Sequence, residues 1–179
     1  VDSEVRVYVA DTGNKRIRVY DQNGRYLRDI GSGGSGSGQL DEPVGLAISP
    51  DGVLYVADTW NRRVSAFLLD GTPANIFINS QDGTTSNSFR VRAWFDDLGN
   101  RPYLALDPVR NLLYVTDPDA GRILIYDLSG NCVGSFGQLN REQPDASQFA
   151  SVGGLAVDEQ GNLFAGDAGS GRILRFDPY

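Results

Sequence analysis

The sequence predicts an all-β fold, a β-propeller of four-stranded antiparallel blades. Three observations carry this: short apolar runs between turn residues, a fourfold recurrence of the same pattern, and a repeat length near that of a propeller blade. Pro43 to Phe67 shows the unit best. Leu46-Ala47-Ile48, Val53 to Ala57 and Val64 to Phe67 are apolar, and Pro50-Asp51-Gly52 and Asp58 to Arg63 separate them. Val, Ile, Tyr and Phe in runs this short form strands rather than helices.

A fixed pair marks each copy. Asp11 precedes Arg16-Ile17, Asp58 precedes Arg63-Val64, Asp117 precedes Arg122-Ile123, and Asp167 precedes Arg172-Ile173. The four aspartates lie 47, 59 and 50 positions apart. Strand a is read at Leu46-Ser49, Leu104-Asp107 and Leu155-Asp158. Strand b starts at Val5 in the first copy and covers Val53-Val56, Leu112-Val115 and Leu163-Ala165 in the others. Strand c is Ile17-Tyr20, Val64-Phe67, Ile123-Tyr126 and Ile173-Phe176. Strand d is Tyr26-Ile30, Asn75-Ile78 and Val133-Phe136. The units are thus about 5–31, 43–79, 102–137 and 152–179, with an insertion at 80–101. One such sheet has two bare apolar faces, and stacking copies around an axis buries them.

The repeated residues resemble the NHL repeat family, whose pattern is close to P-x-G-[IVL]-A-[IV]-D-x-x-G-x-[IVL]-Y-V-A-D-x-x-N-x-R-[IV]. Pro43 to Val64 follows it nearly throughout, with Ser49 in place of the Asp, and Val7 to Ile17 follows its second half. In the third and fourth copies Gly121 and Gly171 are read at the Asn position, and Asp107 to Asn111 is one residue longer. The resemblance implies sensor or interaction modules. Some related six-bladed propellers are lactonases or lyases with metal ligands in the pore.

Composition narrows the chemistry. The 179 residues are 40% hydrophobic and 22% charged, enough for a globular core. Net charge is −7, which repels phosphate backbones and speaks against nucleic acid. No His is present, so the commonest general base and catalytic zinc ligand are missing. Cys132 stands alone and reads as an inert thiol. No apolar run is long enough for a membrane span, and no cofactor motif appears. The glycines of Gly31 to Gly38 do not link a strand to a helix, so they form no phosphate cradle; they read as a native crossing between blades.

The strand inventory is b-c-d, a-b-c-d, a-b-c-d and a-b-c. This predicts about four blades, as part of a larger six-bladed ring with further blades before Val1. Completion of the ring by a second chain, or closure of four blades alone, are the other readings. The insertion carries alternating residues, Phe89 to Phe95, that predict one short extra strand.

Turns between b and c and crossings between d and a fall on one side of each sheet. A binding surface is expected there. The pairs Asp11–Arg16, Asp58–Arg63, Asp117–Arg122 and Asp167–Arg172 occur in every copy, so they read as structural, each Asp accepting N–H groups of its own turn. Residues that break the repeat are the binding candidates: Lys15, Trp60, Asn61, Arg62, Trp94, Phe95 and Asp119. Burial against neighbouring segments is the competing role for the aromatic ones. Asp96, Asp97, Asp119 and Asp145 could hold Ca2+, but no dedicated loop spacing is present, and no catalytic or metal residue is assigned. The expected function is non-catalytic: a scaffold offering one loop-rich face to a protein, peptide or carbohydrate. A calcium-dependent hydrolase or lactonase is the alternative.

Overall fold

A computed structural model describes residues 1–79, 82–94 and 101–179. The chain divides into two compact units, Val1–Asp97 and Leu98–Tyr179.

In the first unit, Asp2 shapes the start. Its Oδ1 accepts the N–H groups of Glu4 and Arg6 at 3.0 and 2.9 Å, and Val5 turns with φ of 58°. The first strand therefore begins two residues later than the sequence predicts, as β1 (Val7–Asp11). A short 3-10 turn, Thr12–Asn14, leads to β2 (Arg16–Tyr20) and β3 (Tyr26–Ile30), and the three form one antiparallel sheet. The glycine-rich crossing carries β4 (Ser32–Gly33) and β5 (Gln39–Leu40), paired in parallel. Next come β6 (Pro43–Ile48), β7 (Val53–Asp58) and β8 (Arg63–Leu68) of the second sheet.

The outer strand of this second sheet departs from expectation. Asn75 to Ile78 does not fill it. Instead β9 (Phe77–Ile78) pairs with β10 (Thr85–Ser86), and the fourth strand is β11 (Ser88–Arg90), from the insertion. Ala66 marks the switch. Its carbonyl accepts the N–H of Ala74 at 2.9 Å, and its own N–H donates to Asn87 at 2.7 Å. The insertion thus interrupts the outer strand between Ala74 and Asn87 rather than following it. Its rings cover the sheet: Phe77 lies 6.4 Å from Tyr55 and 4.9 Å from Phe89.

In the second unit, β12 (Leu104–Asp107), β13 (Leu112–Asp117), β14 (Arg122–Asp127) and β15 (Cys132–Phe136) form a four-stranded sheet in chain order. A three-stranded sheet follows: β16 (Val152–Val157), β17 (Leu163–Asp167) and β18 (Arg172–Phe176). Among the described residues the four larger sheets have three, four, four and three strands, the predicted numbers, but the outer strand of the second comes from a different segment than expected.

Alternate residues of each strand face the neighbouring sheet, as period two requires. In the first unit Ile17, Val19 and Ile30 pack against Leu54, Val56 and Phe67. In the second, Ala105, Tyr114, Ile123 and Ile125 pack against Leu163, Ala165, Leu174 and Phe176. The opening residues of β6 and β16 bulge at the same place: register skips between Pro43 and Leu46 and between Val152 and Leu155. No helix among the described residues is long and apolar enough to cross a membrane.

Candidate functional site

Each b–c turn is built around its aspartate. Asp closes strand b and pairs in register with the Arg that opens strand c. The Arg Nε donates to Asp Oδ2 in every copy: 2.9 Å for Arg16–Asp11, 2.7 Å for Arg63–Asp58, 2.7 Å for Arg122–Asp117 and 3.2 Å for Arg172–Asp167. The residue before each Arg is left-handed: Lys15, Arg62, Gly121 and Gly171 have φ of 56°, 54°, 59° and 61°. This corrects the repeat alignment. Gly121 and Gly171 match Lys15 and Arg62; the Asn position is held by Asn14, Asn61, Ala120 and Ser170.

The backbone partners of these carboxylates also differ from expectation. Asp58 Oδ1 accepts the N–H of Asp41 at 2.6 Å, and Asp167 Oδ1 accepts those of Ala150 and Ser151 at 3.0 and 2.8 Å. These donors belong to the crossing that enters strand a, not to the aspartate's own turn. The reason is register, since Pro43 and Val152 at the head of strand a lie opposite the two aspartates. The arginines reach the same crossings. Arg63 donates to the carbonyls of Ser35, Gly36 and Gln39, and Arg172 to those of Asp145 and Gln148. Asn61 Nδ2 donates to Gly34 and to both Asp58 oxygens. The Asp–Arg pair is therefore a clasp on the d–a crossing. Sequence pattern could not reveal this, because backbone carbonyls carry no residue signature.

Burial pushes the Asp58 carboxyl above its ordinary range, against the pull of the Asp41 N–H, Asn61 and Arg63. At Asp167 burial is again the largest influence and pushes up, but the N–H groups of Ser151 and Ala150, with Ser170 and Arg172, outweigh it and hold the carboxyl low.

The candidate residues fall unequally. Lys15, Trp60 and Asn61 meet at the crossing of the first unit. Lys15 Nζ is 2.9 Å from Asp41 Oδ1, and the Trp60 N–H donates to the Asp41 carbonyl at 3.1 Å. The Trp60 side chain is 39% exposed at this rigid turn. Arg62 follows it, its carbonyl accepting the Val91 N–H. Trp94 is 1% exposed, a core residue in the insertion, so it cannot present a surface as expected. Phe95 lies outside the described residues, as do Asp96 and Asp97. Asp119 is exposed in a turn of the second unit. Cys132 is exposed, with Sγ 3.6 Å from the Gly134 carbonyl. Among the described residues no three His, Cys, Asp or Glu side chains converge on a metal position. A cleft of about 470 Å³ in the second unit has apolar walls from Tyr114, Phe136, Leu163, Phe176 and Tyr179.

Comparison with known proteins fits this geometry. The NHL repeat family matches residues 40–67. The human E3 ubiquitin-protein ligase TRIM32 is 29% identical over 109 residues, which is 60% of this chain and 16% of that protein. The RING finger protein nhl-1 of Caenorhabditis elegans is 44% identical over 43 residues, 24% of this chain and 4% of that protein. The chain thus spans only a small part of these relatives' length. Among solved structures, a chain of the nidogen/laminin complex superposes with a TM-score of 0.64 at 20% identity, covering 97% of this chain and 55% of that one. Virginiamycin B lyase from Staphylococcus aureus gives 0.62 at 16%, covering 99% and 53%. At such identities these structures show the fold alone. Residues 40–67 match the NHL repeat, and the chain has the antiparallel four-stranded sheets of a β-propeller fold.

Proposed function

We propose that the chain is a non-catalytic binding module that docks a protein or peptide on the turn-and-crossing surface around Trp60. The observation that carries this reading is a large aromatic side chain, 39% exposed, on a turn that is fixed from below. The Asp58–Asn61–Arg63 clasp holds the glycine-rich crossing, and the N–H groups of Thr59 and Trp60 donate to Glu42 and Asp41. A rigid aromatic anchor loses little side-chain entropy on binding, which is the usual make-up of an interface hot spot. Lys15 and Asp41 form an ion pair beside it that would set the polar rim. The nidogen/laminin structure is a complex between proteins, which accords with protein partners for this fold.

A displayed random-peptide library panned against the chain supplies the probe. Selected peptides should bind by calorimetry, and Trp60→Ala should weaken them roughly thirtyfold, the cost of losing a hot spot of about 2 kcal/mol. Its melting temperature should stay near that of the wild type. Peptides that bind the variant equally well, or a large drop in its melting temperature, would place Trp60 outside any such surface.

A further inference from the structure

The heads of the sheets can be compared across the repeat. Ile30, Phe89 and Phe136 pair with Ile17, Val64 and Ile123, and the residues that follow them are Gly31, Arg90 and Gly137. The outer strand of the second sheet, supplied by the insertion, thus puts an arginine where the first and third sheets have glycine. Asp58, Arg63 and Arg90 form one row across β7, β8 and β11. Asp58 is taken by Arg63 at 2.7 Å, so Arg90 stands in register with another cation. Like charges placed directly opposite weaken a sheet, so Arg90 adds nothing to the fold by its charge.

This arginine lies beside the Trp60 turn. Val91 is 0% exposed and donates its N–H to the Arg62 carbonyl at 2.9 Å, which fastens the segment to the turn that carries Trp60. Arg90 and Arg92, on either side of Val91, are both exposed, and among the described residues neither has a carboxylate partner. The carboxylates of the same surface are Asp41, held by Lys15, Asp58, held by Arg63, and Glu42, which is half-buried. The edge of the turn towards the insertion is therefore locally basic, on a chain whose net charge is −7.

We infer that the Trp60 surface takes an acidic peptide, its carboxylates meeting Arg90 and Arg92 while an apolar side chain rests on Trp60. This rests on the reading of Trp60 as a docking surface and names the partner's chemistry. A short peptide is governed by charges within about 10 Å at ordinary salt, where the two arginines prevail. A nucleic-acid strand carries charge along its whole length and meets the repulsion of the acidic chain.

Rates separate the two parts of the surface. Rim charges set association, and a buried anchor sets dissociation. Peptides selected from the displayed library should be rich in Asp and Glu. One of them, and its version with each Asp replaced by Asn and each Glu by Gln, are followed by stopped flow. Arg90→Glu combined with Arg92→Glu should slow association of the acidic peptide about tenfold, with dissociation and melting temperature near those of the wild type. The gap should narrow with added salt, and the neutral peptide should show none. Trp60→Ala should instead speed dissociation of both peptides. If the double variant fails to fold, Arg90→Gln with Arg92→Gln should give a smaller slowing of the same kind. Selected peptides without acidic residues, or equal association with wild type and the double variant, overturn the inference, while a persisting Trp60→Ala effect keeps the docking surface. Absence of any Trp60→Ala effect removes that surface and the inference with it. Displacement of the peptide by oligothymidylate, lost in the double variant, would overturn the inference in favour of nucleic acid.

Discussion

The aspartates that close the b strands share a geometry but not a donor set. Asp11 Oδ1 accepts from Asn14 at 2.8 Å, and Asp58 Oδ1 from Asn61 at 3.0 Å. Ser170 stands at that position for Asp167 and bonds it through its side chain. In the third copy the position is Ala120, and among the described residues the buried Asp117 Oδ1 has no hydrogen-bond partner. The place matching the Asp41 donor is residue 100, outside the described residues. A buried acceptor without a donor costs about 1–3 kcal/mol. Ala120→Asn should supply the donor and raise stability by about 1 kcal/mol, read as a higher urea midpoint with unchanged slope. No gain would mean that the oxygen is already satisfied. A second carboxylate controls acid behaviour. Burial pushes Asp2 up most strongly, yet the Arg6 N–H, its guanidinium and the Tyr8 hydroxyl together bring it down from 3.8 to about 2. With the folded value below the unfolded one, its contribution is present above 3.8 and fades as pH falls towards about 2. Its side chain is 1% exposed, so the contribution is about 2 kcal/mol. Asp2→Asn should therefore be less stable than wild type at neutral pH, with the gap closing across that window in chemical denaturation. The Asp–Arg pairs were legible in sequence because both members sit at fixed spacing. Their grip on the crossings was not, because the acceptors lie 24 to 28 residues away for Arg63 and are backbone carbonyls.

Between strands b and c, every turn needs one left-handed residue, and the repeat meets that need in two ways. Lys15 and Arg62 accept the strain, while Gly121 and Gly171 avoid it. The two glycines differ in surroundings. A Cβ on Gly121 would lie 2.5 Å from Leu139 Cα, whereas one on Gly171 meets nothing within 4 Å. Gly171→Ala should thus cost only the backbone term of about 1 kcal/mol, and Gly121→Ala distinctly more, since Leu139 also donates its N–H to Ala120. Thermal unfolding of the pair checks the order; equal losses would show that Leu139 yields freely. The outer strand of the second sheet was the element the sequence misplaced. Two β-prone runs, Ile76 to Ile78 and Phe89 to Val91, compete for one sheet edge, and strand propensity cannot choose between them. What decides is tertiary: with the chain leaving the edge at Ala74 and returning at Asn87, Phe77 meets Phe89 edge to face and lies against Tyr55.

At the level of the whole molecule, period and spacing carried most of the information. The fourfold recurrence gave sheets of three, four, four and three strands, and the even spacing of apolar residues gave both cores. The candidate surface was only partly legible. A tryptophan at a turn and a tryptophan in an insertion look alike in sequence, yet Trp60 is exposed and Trp94 buried. Burial also ranks the strands by stability. Every residue of β7 and β13 is buried, and each strand pairs on both sides. Among the described residues β1 and β18 pair on one side only, and neither strand has a buried residue. Backbone amides open by local fraying at sheet edges and by larger unfolding at sheet centres. Hydrogen exchange followed by mass spectrometry should therefore be slowest in Val53–Asp58 and Leu112–Asp117 and fast in Val7–Asp11 and Arg172–Phe176. Protection in β18 equal to that of β13 in dilute solution would contradict the ranking.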